Sequence, residues 1–174
     1  MLALVVGCSS SQPAAAPVSS QVRPTMTQGE LCDALKNFLT SELHAVEVRS
    51  IPNVSTDTTL TVGGVCELAQ GQNPIASYQV RNAPNDADPT QGRRGYVKTP
   101  ALGESMWVYD LRTDMGSASD TVRFATRINE WNAILEIRDA ETRTAVGVLN
   151  LTDDDKRKSA QFLTELTTKL AVER

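Results

Sequence analysis

The side chains that could do chemistry in this chain are few and loosely grouped. His44 is the single histidine, so a Ser–His–Asp or Cys–His site would have to use it. No G-x-S-x-G accompanies it, and its place at the end of an expected first helix suits a cation facing the helix dipole. Asp153-Asp154-Asp155 offers oxygen ligands for a cation. Consecutive helical residues point about 100° apart, however, and converge poorly on one ion. Asn85-Asp86-Ala87-Asp88 lacks the glycine and closing glutamate of a calcium loop and reads as a solvated turn. No C-x-x-C is present, so neither a metal nor any other cofactor is expected. Arg93-Arg94, with Lys98 nearby, is a small basic cluster and the candidate contact for an anion or lipid headgroup. Gly92 and Gly95 flank the arginines, but no helix follows them as a phosphate-binding loop would need. Asp110, Asp114 and Asp120 are the carboxylates a hydrolase would use. Paired in one cleft, with one pKa raised, they would serve as acid and base.

Cys8 stands apart from these. It closes Leu4-Val5-Val6-Gly7 and gives way to Ser9-Ser10-Ser11-Gln12-Pro13. This resembles the signal of bacterial lipoproteins, a family in which the cysteine thiol carries a diacylglycerol and the preceding segment is removed. The resemblance implies that Cys8 anchors the protein at the extracytoplasmic face of the cell membrane. Residues 1–7 are then the remnant of a signal peptide. They lack Lys and Arg and are shorter than a full signal, so the true start is expected further upstream. Residues 8–28 are mostly Ser, Gln, Ala, Pro, Val and Thr, with almost no charge and no periodicity. Such a segment buries too little apolar area to offset its ordering entropy. It is expected to be a disordered tether with a reach of roughly 25 Å. With Cys8 lipidated in an exported protein, Cys32 and Cys66 remain as an even pair and are expected to form a disulfide.

The elements that position these groups are legible in the pattern. Residues 29–174 are long enough for one domain with its own core. No run of 18 apolar residues exists to span a membrane. The net charge of −4, with both signs interspersed, argues against nucleic acid as a partner. Thr27 and Glu30 form a T-x-x-E capping box. Leu31, Ala34, Leu35, Phe38, Leu39 and Leu43 follow at helical spacing and predict an amphipathic helix over about 28–43. Cys32 falls in its first turn, so a bridge to Cys66 would staple the helix to a strand.

Strands are predicted at Thr58–Val62, Val65–Leu68, Ala76–Val80, Met106–Leu111, Val122–Ile128, Trp131–Arg138 and Thr144–Leu149. The first two are either separate or one strand kinked at Gly63-Gly64. Between 82 and 104, prolines and glycines mark a long loop of the kind that is often functional. Trp107, Tyr109, Phe124 and Trp131 are core residues, or line a cleft if some face outward. Thr152 caps a closing helix to about residue 172, with Asp153, Asp154 and Asp155 facing the dipole. The expected fold class is α+β: an antiparallel sheet of about five to six strands with both helices packed on one face.

The layout resembles actinobacterial (mycobacterial-type) cell-envelope lipoproteins of unknown function. They combine a lipid-carrying cysteine, a Ser/Pro/Ala tether, a helix opening with a cysteine (Leu31-Cys32-Asp33-Ala34-Leu35), a second cysteine on a strand (Val65-Cys66-Glu67) and a closing helix. The layout is also similar to the extracellular sensor domains of mycobacterial serine/threonine kinases and to small lipoproteins with a PsbP-like fold. The resemblance implies a non-catalytic role, binding an envelope protein or lipid ligand, and carries over no functional residues. The alternatives are a carboxylate-dependent envelope hydrolase and a structural or assembly factor. The last would expose a large apolar patch.

Overall fold

The computed structural model describes residues 26–51, 55–113 and 120–172. Cys8, residues 1–7, residues 8–25 of the expected tether and Asp114 lie outside the described residues. The packed chain already includes Met26–Gln28, which composition assigned to the tether. Met26 is buried in the core, and its carbonyl accepts from Leu60 N at 2.9 Å.

The capping box forms: Glu30 N donates to Thr27 Oγ1 at 3.2 Å and Thr27 N to Glu30 Oε2 at 2.7 Å. It opens helix α1, Gln28–Ser41, whose Leu31, Leu35, Phe38 and Leu39 are buried. The first N–H groups of a helix have no partner within it. Here Gln28 N and Gly29 N donate to Thr58 O and Thr56 O, both at 2.8 Å. That use of the backbone explains why Thr58–Val62 is not a strand despite its β-branched residues. Thr58 O serves the helix end, Leu60 N donates to Met26 O, and only an isolated Thr27–Thr59 bridge forms. The strand that follows begins at Gly63, with φ +155° and a Cβ position only 2.5 Å from Val80 O. Only glycine fits so close an approach.

The strands are β1 (Val48–Ile51), β2 (Gly63–Gln70), β3 (Asn73–Asn82), β4 (Val97–Lys98), β5 (Met106–Asp110), β6 (Thr121–Ile128) and β7 (Trp131–Arg138). All neighbours are antiparallel, in the order β1-β2-β3-β7-β6-β5-β4. Two meanders, β1–β3 and β4–β7, therefore join where β3 pairs with β7. The α+β class holds, with more strands than expected because β1 and β4 are too short for a periodic signal. Thr144–Leu149 is not a sheet strand. It folds into the small hairpin β8 (Arg143–Thr144) and β9 (Gly147–Val148). Its Val146 is 97% exposed, so the apolar run that predicted a strand faces solvent.

Helix α2, Asp153–Val172, closes the chain under its own cap: Asp155 N donates to Thr152 Oγ1 at 3.2 Å. Both helices cover one sheet face. Phe38 of α1 stacks on Phe162 of α2 with centroids 4.3 Å apart. Beneath this seam Tyr78 of β3 is fully buried, its hydroxyl paired with Thr167 Oγ1 at 2.9 Å. Burial pushes the Tyr78 phenol up from its ordinary pKa. Leu68, Phe124, Leu135 and Ile137 complete the core on the same face. Cys32 and Cys66 are bridged, with Cα atoms 5.2 Å apart, so α1 is stapled to β2 as the sequence led one to expect.

The long loop runs across the other face. Arg127 Nη1 donates to Ala83 O at 3.1 Å and to Asp86 O, and Asn132 Nδ2 donates to Asp86 O and Asp88 O at 2.9 and 3.2 Å. These bonds use neutral backbone acceptors, of which Ala83 O and Asp88 O also accept from Asp86 N and Gln91 N. No helix of the described residues is long and apolar enough to cross a membrane.

Candidate functional site

The helix layer is narrower than the sheet. Helix α1 lies over β1 and β2, and α2 over β6 and β7. At the β4–β5 end the same face opens into a cleft of about 740 Å³. Its floor holds Val97 and Val108, direct cross-strand partners. One wall is the 3₁₀ turn Pro100–Leu102, with Ala101 and Leu102, and the other is the first turn of α2, with Asp153, Lys156 and Arg157. Val97 is 66% exposed, which leaves a concave apolar surface open to a ligand.

A charged cluster closes one end of the cleft. Asp110 accepts from Arg112 Nε and Nη2 at 2.8 and 2.7 Å and from Lys156 Nζ at 3.0 Å. Arg112 Nη1 reaches Asp139 Oδ2 at 2.6 Å and Leu151 O at 3.2 Å. The cluster thus ties β5, the end of β7 and the entry to α2 together. The Arg112 hydrogen bonds, aided by Lys156, outweigh desolvation and hold the Asp110 carboxyl down at about 2. A general acid needs the opposite shift. Asp120, exposed at the start of β6, is not part of the cleft lining. The paired acid and base of the hydrolase alternative are thus not assembled from Asp110 and Asp120.

The other candidates fall as follows. His44 lies beyond the end of α1, exposed, with φ +56° and no serine or carboxylate partner among the described residues. Asp155 bonds Thr152, Asp154 pairs with Arg157 and Lys158, and Asp153 lies 3.8 Å from Lys156. They cap a helix and pair with its cations, and no metal-holding group occurs among the described residues. Asp86 pairs with Arg81 and Asp88 caps its own turn through Thr90 and Gly92, as a solvated turn would. Arg93 and Arg94 are exposed before β4, and Lys98 is exposed on β4 itself. Strand alternation puts Lys98 on the face opposite Val97, away from the apolar cleft.

The aromatic strand residues divide by strand and face. Phe124 and Trp131 are core, whereas Trp107 and Tyr109 are half-buried and line clefts. Exposed valines are scattered, and only Val146 and Val148 share an element, the β8–β9 hairpin. The sequence flagged the loop that frames the cleft but missed Val97, Val108, Arg112 and Lys156. Alternation along Met106–Asp110 places Val108 and Asp110 on one face. Nothing local signals that α2 begins beside them.

Gly95 fits the cleft rim to the sheet. Its φ is +93°, and a Cβ there would lie 2.5–2.8 Å from the Tyr109 ring. Tyr109 in turn packs against Tyr96, with centroids 5.9 Å apart. Gly95→Ala is expected to lower stability by about 1–3 kcal/mol through backbone strain and ring displacement. Urea unfolding measures this, and a loss under about 0.5 kcal/mol contradicts the packing described.

No protein-family model, curated protein or solved structure matches this chain.

Proposed function

We propose that this protein is an envelope lipoprotein, anchored by Cys8 at the extracytoplasmic face of the cell membrane, whose domain binds a lipid without catalysis. The cleft beside β4 and β5 carries the reading. Its volume, about 740 Å³, lies within the usual range of ligand pockets, roughly 300–1,000 Å³. Val97, Leu102 and Val108 offer an acyl chain the apolar contact it lacks in water. Lys156 and Arg157 stand where the polar end of such a ligand would emerge. An anchor at Cys8 would keep this cleft within roughly 25 Å of a bilayer, where lipid ligands are concentrated. The non-catalytic part of the reading is supported by the ionised Asp110 and the unaccompanied His44.

Two experiments test it. Titrating labelled protein with monomeric laurate is expected to shift the NMR signals of Val97, Leu102 and Val108. Val108→Lys should abolish that response while leaving the core signals in place. Shifts confined to other surfaces would remove the cleft from consideration. For the anchor, the Cys8→Ser protein is expected to leave the membrane fraction, and globomycin should block maturation of the parent. A Cys8→Ser protein that still sediments with membranes refutes the anchor.

A further inference from the structure

We propose that the opposite face of the sheet carries a second binding site, built by Lys98, Trp107 and Arg127, for an anionic sugar. The site is independent of the lipid cleft. Strand register creates it. Lys98 of β4 pairs directly with Trp107 of β5, and Trp107 pairs with Ala125 of β6. Arg127 lies two residues along β6 from Ala125, on the same face and diagonal to Trp107, a separation that long side chains span. A cleft of about 600 Å³ includes all three, with Pro89, Ser105 and Asn129 around them. Val97 and Val108 point to the other side of the sheet, so the two clefts do not share walls.

The charges are arranged for an anion. Arg127 Nη1 donates to Ala83 O, Asp86 O and Asn132 Oδ1. All three acceptors are neutral and engage Nη1 alone, so the guanidinium charge is not neutralised. Neither Arg127 nor Lys98 has an ion pair among the described residues. Asp88 is the carboxylate lining the cleft. Its oxygens accept from Thr90 N at 2.9 Å, Thr90 Oγ1 at 2.6 Å and Gly92 N at 2.8 Å. It is committed to its own turn. Two cations thus face one committed carboxylate, a net positive cleft that favours an incoming negative group.

The remaining walls choose the rest of the ligand. The half-buried indole of Trp107 gives a flat apolar surface for the C–H face of a sugar ring. The Ser105 hydroxyl and the Asn129 amide suit sugar hydroxyls. An acyl chain would strand these polar groups without partners, and a bare inorganic anion would leave Trp107 unused. The class that uses every wall is a sugar or cyclic polyol bearing a carboxylate or phosphate, whether soluble or displayed as a lipid headgroup.

NMR titration of the full chain, following the Trp107 indole N–H, tests this. Glucuronate and glucose 6-phosphate are expected to bind saturably. Glucose and inorganic phosphate should bind about tenfold more weakly or worse, as losing either half of the contact implies. Lys98 is exposed, so Lys98→Glu should keep the fold and lose about tenfold or more in affinity, with Lys98→Arg restoring it. Co-sedimentation with phosphatidylinositol vesicles, competed by glucose 6-phosphate, identifies the headgroup as the source. Vesicle binding without competition counts against the site. Equal binding of glucose, equal binding of phosphate, an unaffected Lys98→Glu protein, or shifts confined to the Val108 cleft would each overturn the proposal.

Discussion

An Arg112→Met chain is expected to be about 3 kcal/mol less stable than the parent at neutral pH. Arg112 neutralises two carboxylates at once: Asp110, whose side chain is 14% exposed, and Asp139, at 5%. Removing the guanidinium strands Asp139 in the protein without a cation and leaves Leu151 O without its donor. A buried charge left unpaired costs more than the pair contributed, because its hydration is already lost. The effect lies at the lower end of the range for buried pairs because Arg112 keeps 20% of its side chain exposed and Lys156 still serves Asp110.

The pH dependence separates this mechanism from a simple packing loss. Asp110 titrates at about 2 in the fold, against an ordinary 3.8. Its stabilising contribution is therefore fully present above about pH 4 and is lost as pH falls toward 2. In the parent, acidification through this window destabilises. In Arg112→Met, Asp110 has lost the partner that lowers its pKa most, so acidification costs the variant less and the gap between the two proteins narrows. Urea unfolding at neutral pH and near pH 3 measures both gaps. Adding Asp139→Asn to Arg112→Met should recover part of the loss. A gap that does not change with pH, or a double variant no better than the single, would refute the charge-stranding account.

Opening the Cys32–Cys66 bridge is expected to cost about 3–4 kcal/mol and to lower Tm by about 10 °C. The bridge closes a separation of 34 residues, and the cross-link removes conformations from the unfolded chain in proportion to the logarithm of that length. The native side has its own stake. The bridge holds the first turn of α1 against β2, where Gln28 Nε2 also donates to Val65 O at 2.6 Å. The segment whose carbonyls serve the helix end lies inside the closed loop. Calorimetry of the parent with and without reductant, beside the Cys32→Ala/Cys66→Ala protein, checks the magnitude. Hydrogen exchange should rise first at Gln28–Cys32 and residues 55–60. A Tm change under about 3 °C would mean that core packing alone fixes α1.

Much of the architecture was legible because its signals are local. A capping box at Thr27, apolar residues at helical spacing from Leu31 to Leu39 and the Thr152 cap place both helices near their observed bounds. Period-two alternation of residue type identifies β6 and β7 from their own residues, although β7 is buried on both faces from Trp131 to Leu135. The misreadings have tertiary causes. Thr58–Val62 has strand composition, but its neighbour is a helix end in need of carbonyls. Thr144–Leu149 turns back at Ala145-Val146, ahead of Gly147 with φ +141°. β4 is two residues long and exists because Val97 and Lys98 meet Val108 and Trp107.

The sequence by itself determined the class of fold, the two helices and the pairing of Cys32 with Cys66. It also flagged Lys98 beside Arg93 and Arg94, whereas the proposed second site groups it with Trp107 and Arg127. The tertiary structure decided where the clefts lie. Sheet order carries β4 and β5 past the edge of the helix layer, and pairing register puts Val97 with Val108 on one face and Lys98 with Trp107 on the other. Caps and periodicity depend on residues a few positions apart, whereas these sites join β4, β5, β6 and α2 across long sequence separations. Only the closing of the sheet and the packing of α2 onto it bring those residues within reach of one ligand.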